Sequence, residues 1–187
     1  MGIANIPNLG ALAPVRSRRS PARSLLAVAL ALLVAALVQT SAMLYLPSTA
    51  PRPDLVLVVA LAWGFLRGSG EGFLAAVVGG LLLDFVGSTP FGLQVLALGV
   101  AALVVGGEGT FSASPLRRSA GAALGALIAH LIVLAVLQMR GWELLWPVAL
   151  VRGTLPALVA DAALMPLFYA LLGRLPEPAP EALVGGG

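Results

Sequence analysis

Apolar residues in this chain come in long unbroken runs, with neither the alternation of a half-buried strand nor the stripe of a surface helix. From residue 25 to residue 46 there are 22 positions without a charge, enough for a helix to cross a bilayer core of ~30 Å. Three shorter runs follow, at 55–66, 73–86 and 91–105, separated by Arg67-Gly-Ser-Gly-Glu71 and Gly87-Ser-Thr-Pro90. Each is shorter than the roughly 20 residues of a perpendicular crossing. They read either as three short crossings or as segments of which some re-enter among longer helices, and three crossings are the expectation adopted. Two long runs close the pattern, 116–139, interrupted only by Arg117, Arg118 and His130, and Trp146–Leu172. The pattern predicts an all-α integral membrane protein, a bundle of about six transmembrane helices over 25–173. It is flanked by an arginine-rich segment at 1–24 and a Pro- and Gly-rich tail at 174–187, expected to be disordered. A cleaved signal peptide is the competing reading of the first run. Against it, the apolar stretch continues past Thr40-Ser41-Ala42 to Leu46.

Composition agrees with a membrane solvent. The chain is 59% hydrophobic and 10% charged, where a soluble domain carries roughly a quarter charged residues, and its mean hydropathy is +1.00. With no cysteine and one histidine, thiol chemistry, thiolate metal sites and multi-histidine metal sites are excluded. The net charge of +3 is carried by arginines in short segments between apolar runs, which is a topology signal and not a nucleic-acid footprint. Six crossings put both termini on one side. Arg16, Arg18, Arg19, Arg23, Arg67, Arg117, Arg118 and Arg174 share that side, against Arg52 and Arg140 opposite, with Arg152 inside the last helix. The positive-inside rule makes both termini cytoplasmic. Tyr45, Trp142 and Trp146 then fall at the outer interface, with Trp63 and Tyr169 near the inner one, as aromatic belts require.

Rows of small residues suggest packing faces: Ala27, Ala31 and Ala35; Gly72, Ala76 and Gly80; Gly121, Gly125 and Ala129. The second row, continued by one turn, reaches Asp84. A carboxylate at a helix C-terminus opposes the dipole and needs compensation. Arg152 is the candidate partner, the alternative being that both side chains reach interfacial water. His130 and Asp161 fall near the middles of their helices and form a candidate midplane polar pair, read as a structural clamp in preference to a proton relay. Asp54, after Pro51-Arg-Pro53, suits the N-cap of its helix, and Pro147, Pro156 and Pro166 mark the last helix as kinked. No phosphate loop, nucleophile elbow or zinc signature occurs, so no catalytic residue, metal or cofactor is assigned.

The stretch from Pro53 to Gly92 resembles the MreD family of rod shape-determining membrane proteins. The resemblance is carried by Pro53 and Asp54, Trp63, the Gly80-Leu-Leu-Leu-Asp84 sequence, Pro90 and Gly92, with Pro166 and Tyr169 matching in the last helix. Asp161 stands where the family pattern leads one to expect asparagine. The resemblance implies a protein without catalytic activity, similar in architecture to the substrate-binding subunits of energy-coupling factor transporters. It also implies residence in the bacterial inner membrane, and association with MreC and, through the complex, with MreB, RodA and a class B penicillin-binding protein. Pro53, Asp54, Gly80, Asp84, Pro90, Gly92 and Arg152 are then structural or partner-contact residues.

Two other functions stay open at this stage. A substrate-binding subunit of a vitamin transporter would need convergent polar groups in the outer half of the bundle, where Gln39, Asp84, Gln94, Gln138 and Arg152 are the available ones. A lipid-modifying enzyme has no supporting motif.

Overall fold

The computed structural model describes residues 21–45, 52–87, 89–106 and 111–175. Arg16, Arg18 and Arg19, and the expected tail from residue 176, lie outside the described residues. Every regular element among the described residues is helical. They are α1 (Pro21–Tyr45), α2 (Leu55–Arg67), α3 (Ser69–Val86), α4 (Leu93–Val105), α5 (Pro115–Met139) and α6 (Trp146–Leu172). By length and composition α3, α5 and α6 can each cross a membrane, while α2, α4 and the apolar stretch Leu25–Ser41 of α1 are shorter.

The helix α2 is the axis of the molecule. Every residue from Val56 to Phe65 is buried, as expected of a helix that is apolar all round. It touches all five other helices, which stand around it in the order α1, α3, α4, α5, α6. At ~1.5 Å per residue its 13 residues rise ~20 Å, about half the length of the 25-residue α5. Trp63 sits in the core with the Arg67 guanidinium 5.0 Å above its ring. Arg118 covers Tyr169 at 3.7 Å. Arg67 in the last turn of α2, Arg118 at the start of α5 and Tyr169 near the end of α6 thus belong to helix ends that carry arginine and aromatic residues together.

Helix α3 starts four residues earlier than its apolar run. Gly68, at φ 101°, turns the chain in a conformation that costs a glycine little, so Ser69, Gly70 and Glu71 can form the first turn, where Glu71 faces the positive helix end. Helices α2 and α3 then cross closely: a Cβ on Gly72 would stand 2.6 Å from the Gly64 Cα. Farther along, a Cβ on Gly80 would stand 2.6 Å from the Cα of Val95 on α4. Gly121 and Gly125 of α5 receive Phe65 and Leu61 in the same way. Without a hydrophobic drive between helices in lipid, such backbone approach supplies the dispersion contact that holds a bundle together.

The rows on α3 and α5 are therefore packing faces, with Ala76 and Ala129 also buried. The face of α1 is rotated from its predicted row. Val28, Leu32, Ala35 and Ala36 are buried, whereas Ala31 is only partly covered and packs at the margin of the core. Larger side chains serve here because α1 lies along the outside of α2 and α3, where no backbone needs to approach so closely.

Candidate functional site

The N-terminus of α2 is buried inside the bundle, where four backbone N–H groups would lack helical partners. Side chains from three elements meet three N–H groups at this end. The Asp54 carboxylate caps its own helix, accepting from the Leu57 N–H at 3.1 Å. Gln39 of α1 accepts from the Val56 N–H at 3.3 Å. Asp161, near the middle of α6 and fully buried, accepts the Asp54 N–H at 2.7 Å through Oδ1. Pro53, just before, has no N–H to satisfy. Carboxylates at this end also complement the positive pole of the helix dipole. The second oxygen of Asp161 has no hydrogen-bond partner among the described residues.

Asp84 performs the equivalent task for α4. Its carboxylate accepts three backbone N–H groups, from Gly92 at 2.9 Å, Gln94 at 3.1 Å and Val95 at 3.3 Å. Gly92 takes a left-handed conformation (φ 89°), and the Pro90 carbonyl accepts from the Leu93 N–H at 3.1 Å, so Pro90 and Gly92 form the turn that aims these donors at Asp84. Gly80, one turn before Asp84, brings α3 against the first turn of α4. The carboxylate opposes the dipole of its own helix but lies at the favourable pole of the next.

Two pairings expected from the sequence do not form. Among the described residues no ion pair joins Asp84 to Arg152. Arg152 is exposed on α6, and Asp84 is already satisfied by amides. His130 and Asp161 likewise make no hydrogen bond to each other. His130 Nδ1 donates to the Ala126 carbonyl at 2.8 Å, one turn back on its own helix, and Asp161 turns instead to the start of α2. His130 is nevertheless close enough to Asp54 to interact with it electrostatically.

Beside the α2 N-terminus lies a cavity of about 520 Å³. Its polar wall is formed by Gln39, Asp54, Gln94, His130 and Thr154, and its apolar wall by Val38, Leu55, Val133 and Leu134. Helix α1 leans on α2 and α3, and α6 on α2 and α5; α1, α5 and α6 all contribute to the cavity lining. The α6 wall is a π-helical segment, Ala149–Thr154, in which the Leu155 N–H reaches back five residues to the Leu150 carbonyl. Pro156 follows it and has no N–H to continue an ordinary helical ladder. The wider turn presents Ala149, Gly153 and Thr154 to the cavity. Sequence reasoning named Gln39, Asp54, Gln94 and His130 individually, but not Thr154. It missed their convergence, because that depends on α2 beginning at the depth of Asp161, and no run length reveals where a helix begins in depth.

Comparison of the chain with protein-family models, with curated proteins and with solved structures gives no match.

Proposed function

We propose that this chain is a non-catalytic membrane scaffold of the bacterial cell-elongation machinery, an MreD-like subunit that crosses the inner membrane six times with both termini cytoplasmic. The observation that carries this reading is how the residues of the MreD-like pattern are used. Asp54 caps α2, Asp84 caps α4, Gly92 makes the turn between α3 and α4, Gly80 permits their contact, and Trp63 fills the core. Each is consumed in joining helices, so the pattern specifies an architecture, and none of these residues stands free as a nucleophile or a paired acid and base. A protein whose distinctive residues are all structural acts through its surface, by contacts with other membrane helices.

On this reading MreC is the direct partner, with MreB, RodA and a class B penicillin-binding protein in the same assembly. Affinity purification from detergent-solubilised native membranes, followed by mass spectrometry, tests it. Recovery of MreC, RodA or a penicillin-binding protein supports the scaffold. Recovery of energy-coupling ATPases with their membrane subunit would instead assign the bundle to vitamin uptake, a reading that the outer cavity favours.

A further inference from the structure

The cavity above α2 has the dimensions and the two-sided chemistry of a ligand site, and the scaffold reading leaves it unused. Its volume of about 520 Å³ falls in the range of roughly 300–1,000 Å³ typical of small-molecule pockets. One wall is aliphatic. The other converges on Asp54, and its character is that of an acceptor. Since a carbonyl can only accept, the bond from His130 Nδ1 to Ala126 puts a ring proton on Nδ1, so in the neutral ring Nε2 is the acceptor. The hydroxyl of Thr154 donates to the Ala149 carbonyl at 3.4 Å, so it too offers its oxygen.

Two buried acidic side chains, Asp54 and Asp161, lie together at this end; Asp54 is met by the Leu57 N–H and the Gln39 side chain, with His130 near it, and Asp161 has one oxygen without a hydrogen-bond partner among the described residues. The nearest arginine on the cavity lining, Arg52, is exposed. A buried carboxylate is stabilised by a cation or a strong donor, and attraction to one is stronger in a low dielectric than in water. We propose that this cavity binds a small amphipathic amine, a flat apolar body with a protonated nitrogen at one end. The nitrogen donates to the Asp54 carboxylate, and the body rests against Val38, Val133 and Leu134. The inference does not depend on which proteins the chain assembles with.

Gly153 provides the test. It lines the cavity, and a Cβ built on it meets nothing within 4 Å, so a larger side chain enters free space. The full chain in lipid nanodiscs is titrated with 1-naphthylmethylamine by equilibrium dialysis, alongside neutral 1-naphthylmethanol, anionic 1-naphthoate and empty nanodiscs. The expected result is one saturable site that prefers the amine to both comparators by about tenfold or more, the scale of one charge-assisted hydrogen bond. Gly153→Phe should remove the site. Asp54→Asn, which keeps an oxygen to cap α2, should abolish the preference for the amine over naphthylmethanol. If Gly153→Phe does not fold, Ala149→Leu on the same wall takes its place. Equal uptake of the three probes, uptake matching empty nanodiscs, or binding indifferent to the filled wall overturns the proposal. Loss of the amine site would leave the scaffold reading intact, since that stands on co-purified proteins.

Discussion

Asp161 and Asp54, 107 residues apart, are joined by a hydrogen bond of 2.7 Å from the Asp54 backbone N–H to the Asp161 carboxylate. It fixes the start of the central helix to the middle of the last one. An ionisable residue at that depth is expensive in a membrane helix, and here it removes a larger problem, an unpaired amide at a buried helix end. Asp161→Ala should therefore destabilise the fold by about 1–3 kcal/mol, the cost of a buried donor left alone. Asp161→Asn keeps an acceptor oxygen and should cost much less. Reversible unfolding of the purified protein in mixed micelles measures both; equal losses for the two variants would mean that the bond is incidental.

Asp84 makes a similar prediction with a built-in control. Three amides depend on its carboxylate, and Asp84→Ala should cost about 2–4 kcal/mol, more than the loss of a single N-cap. Arg152→Ala should change stability by less than about 0.5 kcal/mol, as expected of an exposed residue without a specific partner. The double variant should be additive. A coupling energy of about 1 kcal/mol or more in that cycle would restore the ion pair that the geometry rules out.

Close backbone approach predicts a sharp contrast among glycines. Gly80→Val places a side chain where the Val95 backbone already stands, and overpacking of that kind costs about 1–3 kcal/mol or prevents assembly. Gly70→Ala meets nothing within 4 Å and should be neutral or stabilising by up to about 1 kcal/mol, because alanine is the better helix former. Thermal unfolding in detergent gives the order. If the two variants behave alike, α3 and α4 are not in contact at Gly80.

Much of the architecture was legible in the sequence because lipid imposes a simple grammar. Apolar runs gave the helices, and Trp146–Leu172 matches its predicted bounds. Asp54 was readable as a cap from its place before such a run. What depended on three-dimensional placement was not legible. The rotation of α1 by one residue follows from its resting on Val28 and Leu32, which an abundance of alanines conceals. The partners of Asp84 and Asp161 are backbone amides, and amides carry no signal in a sequence, whereas Arg152 and His130 drew attention because their side chains are ionisable. The π-helical segment was visible only as the neighbourhood of Pro156.

The proposed topology places the α5–α6 connection outside and the start of α5 inside. Because the chain has no cysteine, single cysteines report orientation without background. Glu143 and Ala113 are exposed at opposite ends of α5. Glu143→Cys should react with a membrane-impermeant maleimide on intact spheroplasts, and Ala113→Cys only after lysis. The arginine distribution demands this pattern. Labelling of both sites from outside would show that the number of crossings between them is even, and the paired orientation of α5 and α6, on which the outer position of the cavity rests, would have to be abandoned.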